Sequence, residues 1–192
     1  MRGVYPRKQS LAPGSDADLV LVDLEKKVKL EKAKLIIDGI KAAGINFAAG
    51  VPDAQFVEVF KLVSEDPDIR YVGAANEGEA AAIAMGAWFG GKQPALIIAT
   101  SGLLVAMYSL ARMQLLHEVP TLILIPYRGD IGDPLWMGMY RKTTEPALHT
   151  LDIPYRIVNE SADIVRVIRE CNECSRSWLK SVAVLFAEQA LW

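Results

Sequence analysis

Cysteine and histidine are scarce, with two of each in 192 residues. Cys171 and Cys174 form a single C-x-x-C inside a helical pattern, with no second pair, and His117 and His149 stand far from it. Zinc needs more ligands than this. A thioredoxin-like pair would open a helix beside a strand, so the two cysteines read as packing residues. His117, at the end of a long helical pattern, and His149 likewise read as structural. An excess of basic charge is also missing: 21 Lys and Arg face 23 Asp and Glu, for a net charge of −2. No basic stripe is left to meet a nucleic acid. The apolar runs are strand-length, too short to span a bilayer. Arg2, Arg7 and Lys8 are not followed by the apolar stretch of a secretion signal, and a cytoplasmic address is expected.

What the chain does have is apolar content, 52% of its residues, in an alternating arrangement. Amphipathic helical patterns near 30–43, 55–64, 77–90, 103–117, 145–151 and 162–179 interleave with short Val/Ile/Leu-rich runs at 46–49, 70–74, 95–99, 121–126, 155–158 and 182–187. The segment holding Gly129, Gly132, Pro134 and Gly138 reads as a loop. Strictly alternating strands and helices predict an α/β fold, a doubly wound and mainly parallel sheet.

Within that frame Glu77 stands out. The run Ala75-Asn76-Glu77-Gly78-Glu79-Ala80-Ala81-Ala82-Ile83-Ala84-Met85-Gly86 follows an apolar strand, so an acid opens a small-residue helix at the carboxyl edge of the sheet. That is where open α/β sheets bind ligands. By itself such an acid is explained by the favourable dipole of a helix first turn. Two other segments fall at matching points after strands: Gly50-Val51-Pro52-Asp53, and Thr100-Ser101-Gly102. The first is also an ordinary turn and the second an ordinary cap.

Together these motifs resemble the pyrimidine-binding (Pyr) domain of thiamine diphosphate-dependent enzymes. That family carries a Gly-Val-Pro loop, a Glu followed by small residues up to a Gly, and a Thr-Ser-Gly turn before a long helix. Glu77 to Gly86 fits the spacing and Glu79 does not. Asn76-Glu77-Gly78-Glu79-Ala80, Tyr127-Arg128-Gly129-Asp130, Thr144-Glu145-Pro146-Ala147-Leu148 and Ile153-Pro154-Tyr155 carry a closer resemblance. It is to the alpha subunit of sulfopyruvate decarboxylase and the amino-terminal half of phosphonopyruvate decarboxylase. The resemblance covers residues 28–192.

The resemblance implies a thiamine diphosphate-dependent 2-oxo acid decarboxylase. Glu77 would be the catalytic acid that hydrogen-bonds the aminopyrimidine ring. Gly50, Val51, Pro52, Thr100, Ser101 and Gly102 would meet the cofactor, and Asp53 and Arg128 the substrate. A guanidinium after a strand suits a carboxylate, sulfonate or phosphonate. It equally suits an ion pair with Asp130 or Asp133. The family's Gly-Asp-Gly and later Asn, which hold Mg2+ and the diphosphate, do not occur here. The resemblance therefore implies a hetero-oligomer, inactive without a large (beta) subunit that brings the diphosphate-binding domain and most of the Mg2+ ligands.

One departure concerns specificity. Relatives usually continue Ser-Gly-Leu-Gly-Asn, whereas here the turn runs Ser101-Gly102-Leu103-Leu104-Val105. If Leu104 and Val105 face the substrate, a bulkier or less polar 2-oxo acid than sulfopyruvate is expected; if they face the core, nothing follows. Two other functions stay open: a carbon–carbon ligase or lyase of the same cofactor class, and a non-catalytic flavodoxin-like module. Residues 1–27 lie outside the resemblance. The stretch from Arg7 to Asp23 is similar to the carboxyl-terminal tail of hydantoinase-type amidohydrolases, and a β-rich arm is expected there.

Overall fold

Six parallel strands set the frame of the molecule in a computed structural model that describes residues 28–130 and 133–191. In chain order the elements are α1 Val28–Ala42, β1 Phe47–Gly50, α2 Val57–Glu65, β2 Arg70–Gly73, α3 Glu77–Phe89, β3 Pro94–Ile97 and α4 Gly102–Ala111. Then come β4 Leu122–Pro126, α5 Gly138–Thr150, β5 Tyr155–Val158, α6 Ile164–Trp178, β6 Val182–Phe186 and α7 Glu188–Leu191. The strand order is β2-β1-β3-β4-β6-β5, every neighbouring pair parallel. Expected and observed strands agree to within two residues at each end. The expected amino-terminal arm lies outside the described residues.

The central strands are apolar on both faces because helices cover both, as a parallel sheet requires. Side chains still alternate. Ala95, Ile97, Leu122, Leu124, Val182 and Val184 face α1, α2 and α6, and Leu96, Ile98, Ile123, Ile125, Ala183 and Leu185 face α3, α4 and α5. The chain leaves β1 for β2 on one side and returns to β3 on the other. This reversal makes a topological switch point between β1 and β3, with an open crevice above their carboxyl ends.

Three segments differ from the sequence expectation. Helix α5 starts at Gly138, seven residues before the expected start near Glu145. A one-turn 3-10 helix, Leu135–Met137, leads into it, so the glycine- and proline-marked loop is shorter than its composition suggests. Helix α4 ends at Ala111, and the rest of the expected helix is a π-helical turn, Arg112–Leu116. That turn delivers the buried Gln114 to the Asp152 carbonyl (2.7 Å) and the Ser181 amide (2.7 Å), satisfying backbone groups at the amino end of the sheet. The short α7 had no signal beyond the strand preceding it.

Candidate active site

The three motifs meet at the switch point. Gly50 ends β1 in register beside Ile97 of β3. A Cβ at Gly50 would stand 2.4 Å from the Ile97 carbonyl oxygen, so only glycine allows this approach. The Gly50 carbonyl in turn accepts from the Ala74 amide (3.0 Å), which ties the Val51–Pro52 loop to the lead-in of α3. Pro52 is exposed and Val51 half-buried. Asp53 is used locally: its Oδ1 accepts from the Gln55 amide at 2.8 Å, an Asx turn that starts α2.

Helix α3 is capped by residues on either side of Glu77. Asn76 is the N-cap, with Oδ1 accepting from the Glu79 amide at 3.0 Å. The Glu79 carboxylate reaches back to the Ala75 amide at 2.7 Å. This is a close variant of the capping box, and Asn-x-x-Glu before an alanine run is the signal that would have revealed it. Capping explains Asn76 and Glu79. It does not explain Glu77, which has no hydrogen-bond or ion-pair partner among the described residues.

The Glu77 side chain instead lies against the start of α4. A Cβ on Gly102 would be 2.3 Å from Glu77 Cγ and 2.3 Å from its Oε1. The lack of a side chain at Gly102 is what leaves room for the carboxylate. Thr100 is buried, and its hydroxyl donates to the Pro126 carbonyl, fastening the β3 turn to the end of β4. Ser101 is exposed at the N-cap position of α4 and makes no side-chain capping bond. The Gly102 amide, first of α4, donates to the Ala99 carbonyl at 3.0 Å, so at this helix start it is the Ser101 hydroxyl that is open to a ligand.

Arg128 follows β4 and is well occupied. Its Nη1 donates to Gln55 Oε1 (2.8 Å), and its Nη2 pairs with Asp133 and touches Met137 Sδ at 3.3 Å. The Asp133 side chain is 3% exposed, and its second oxygen accepts from the Gly129 amide at 2.6 Å. Arg128 Nε is buried without a partner. Asp130, the other candidate partner, is paired with Arg141 at 2.9 Å.

Farther down the same face, Glu145 of α5 accepts hydrogen bonds from the hydroxyls of Tyr127 and Tyr155. Those bonds hold its carboxyl below the ordinary value. The Tyr155 hydroxyl is pushed up to about 12, first by Glu145, and that of Tyr127 is also raised, first by burial. His149 stacks on Tyr155 and His117 meets Phe89 edge-on, both away from Glu77. Cys171 is buried in the middle of α6, and burial raises its thiol to about 12, so it is a poor nucleophile. A cleft of about 470 Å3, lined in part by Tyr155, Arg156, Cys174 and Trp178, lies along β5 and α6. It sits four strand positions from β1, roughly 19 Å at ordinary strand spacing.

A thiamine cofactor fits this arrangement in part. The elements that would face its ring are a carboxylate without a partner among the described residues, the tight Gly50 turn and a bare Gly102. A metal-binding set is not, for no group of three or more His, Cys, Asp or Glu suited to a cation occurs among the described residues. No helix among them is long and apolar enough to cross a membrane.

Comparison with known proteins gives the same direction. Residues 30–125 match the family described as thiamine pyrophosphate enzyme, N-terminal TPP binding domain. Sulfopyruvate decarboxylase subunit alpha of Methanothermobacter thermautotrophicus is 32% identical over 162 residues, 82% of this chain and 96% of that protein. Its counterpart in Methanocaldococcus jannaschii is 29% identical over 153 residues, 79% and 90% of the two chains. Phosphonopyruvate decarboxylase of Streptomyces viridochromogenes is 28% identical over 130 residues, 67% of this chain but 33% of that one. Among solved structures, 2-oxoglutarate:ferredoxin oxidoreductase from Magnetococcus marinus superposes with a TM-score of 0.67 at 20% identity. The match covers 84% of this chain and 29% of that one, and it establishes the shared fold.

Proposed function

Because the chain belongs to the thiamine pyrophosphate enzyme N-terminal TPP-binding family, we propose that it is the alpha-type, pyrimidine-binding subunit of a two-subunit thiamine diphosphate-dependent 2-oxo acid decarboxylase. The observation that carries this reading is the position of Glu77. It is a carboxylate without a partner among the described residues, beside a glycine that makes room for it, at the switch point of a parallel sheet. The bound cofactor supplies the electron sink that lets carbon dioxide leave a 2-oxo acid.

The chain's own residues then have separable tasks. Glu77 shares a proton with the pyrimidine ring nitrogen from its carboxylate. Gly50, Val51 and Pro52 would hold the ring through their backbone, and Gly102 keeps the space for Glu77. Ser101 offers a hydroxyl at the start of α4. Thr100, with its hydroxyl already given to Pro126, holds the β3 turn in place.

The diphosphate and Mg2+ are assigned to a partner subunit bearing the diphosphate-binding domain. Supporting this is an apolar stripe that starts at the site and runs along the outer side of α4. Leu104, Val105, Tyr108 and Leu115 are exposed by 42%, 58%, 74% and 59%. Their spacing puts them on one helical face, extended through the π turn. Exposed apolar side chains grouped on one face, here with the exposed Arg112 between Tyr108 and Leu115, mark an interaction site. Its beginning at the incomplete active site suits the subunit that completes it.

The test is reconstitution. This chain, a large subunit carrying the diphosphate-binding motif, thiamine diphosphate and Mg2+ are mixed, and carbon dioxide release from a panel of 2-oxo acids is measured. Release by the mixture and by neither chain alone is expected. No release from any substrate, or equal release by the large subunit alone, would overturn the reading.

A further inference from the structure

Arg128 stands where the segments that follow β1, β4 and β6 converge at the carboxyl edge of the sheet. It is anchored in the segment after β4, where Nη2 pairs with Asp133, whose side chain is 3% exposed and whose second oxygen accepts from the Gly129 amide at 2.6 Å. That segment is tightly wound. Gly129 has a φ of +100°, and a Cβ there would stand 2.6 Å from the Met137 carbonyl oxygen. From this base Nη1 reaches across to the segment after β1 and donates to Gln55 Oε1 at 2.8 Å, while Glu188 of α7, after β6, lies 4.0 Å from the same nitrogen. A guanidinium suits the position because its rigid fork serves two acceptors in different directions at once.

Gln55 belongs to the exit of the Gly50-Val51-Pro52 turn. Its amide donates to Asp53 Oδ1 at 2.8 Å, and the Phe56 amide donates to the Asp53 carbonyl at 3.2 Å. Phe56 is buried and meets Phe186 edge-on, with ring centroids 5.6 Å apart. Apolar packing therefore holds the far end of residues 51–56. Among the described residues, the one side-chain hydrogen bond from 51–56 to a distant part of the chain is that of Gln55 with Arg128.

We propose, on the decarboxylase reading above, that Gln55 and Arg128 are positioning residues for the cofactor-facing turn at 50–52. Asp133 fixes the guanidinium, and the guanidinium fixes Gln55 and the turn that leads to it. Arg128 then acts on the seat of the cofactor, and its effect precedes the arrival of any substrate.

Thiamine diphosphate affinity is measured by calorimetry, with Mg2+ and without substrate, in the complex of this chain with a saturating large subunit. Gln55→Ala leaves the pair of Arg128 with Asp133 intact, so no buried charge is stranded. Its dissociation constant for thiamine diphosphate should rise by about ten-fold, the scale of one hydrogen bond to a charged group. Gln55→Glu keeps an acceptor for Nη1 and should stay within about two-fold of wild type, a rescue that general damage to packing would not allow. Arg128→Lys, with a single nitrogen for two acceptors, should weaken binding as Gln55→Ala does. An arginine that only grips substrate predicts unchanged cofactor affinity in every variant. Wild-type affinity in Gln55→Ala, or no rescue in Gln55→Glu, overturns the inference and leaves the decarboxylase reading standing. Failure of the wild-type complex to bind thiamine diphosphate sinks both.

Discussion

The carboxylate of Glu77 occupies the space beside Gly102 that any other residue would fill with its own Cβ, 2.3 Å away. One residue begins α3 and the other begins α4, with a whole helix and strand between them in the chain. Their contact converts two ordinary helix starts into one site, and it makes Gly102 as necessary as Glu77 for the arrangement.

Gly102→Ala separates site from scaffold. The new methyl meets the Glu77 side chain from Cγ to the carboxylate and no backbone among its nearest atoms, and alanine is the better helix former, so folding should survive with Glu77 displaced. The complex should nevertheless lose activity by about ten-fold or more, the scale set by misplacing a proton-sharing group. Thermal unfolding and decarboxylation measured on one preparation check this; unchanged activity would show that the Glu77 position is not constrained.

Asn76→Ala should do the reverse. Losing the N-cap bond to the Glu79 amide costs about 1 kcal/mol, or roughly 2–4 °C in a chain of this size. Activity of the folded complex should change far less than in Glu77→Gln. Thermal denaturation against kcat distinguishes the two.

Glu145 gives the fold an acid sensitivity of known sign. Hydrogen bonds from Tyr127 and Tyr155 hold its folded-state pKa below the ordinary 4.5, so the stability they add is fully present above that value. It is lost as the pH falls from 4.5 through the lowered folded value. Glu145→Gln should flatten this part of the stability profile in denaturant titrations, and Tyr155, held up chiefly by Glu145, should ionise at lower pH in the variant. An unaltered tyrosine titration would contradict the clamp.

The apolar stripe of α4 is tested by charge. Val105→Asp and Tyr108→Asp alter exposed positions, so each isolated chain should keep its thermal stability to within about 0.5 kcal/mol. Binding to the large subunit should weaken by about ten-fold or more where a central apolar contact is lost. Sedimentation or calorimetric titration of the two subunits reads this directly.

Much of this is legible in the sequence because the fold is built from repeated local signals. Buried β4 and β6 are runs of Val, Leu and Ile, and α6 has a strong apolar stripe, so their positions follow from periodicity. The site segments were legible as motifs after strands. Their geometry was not, since nothing in the spacing of Glu77 and Gly102 states that they touch. The start of α5 was misplaced because Pro134 and Gly138 look like loop residues, although proline before a helix and glycine at its first position are both tolerated. The Glu145 clamp was invisible for a different reason: tyrosine at strand ends is common, and only the packing of α5 shows that two hydroxyls converge on one carboxylate. Arg128 offered two partners in sequence, a substrate anion or a neighbouring aspartate, and the structure pairs it with Asp133.

The account rests on proton sharing by Glu77, and the most direct measurement is hydrogen–deuterium exchange at C2 of thiamine diphosphate in the reconstituted complex, followed by NMR. Wild type and Glu77→Gln are compared under conditions where both bind the cofactor. Exchange slowed by about 10²-fold or more in the variant is the predicted result, the range for a positioned acid–base group. Exchange at the wild-type rate with Gln at position 77 would contradict the assignment.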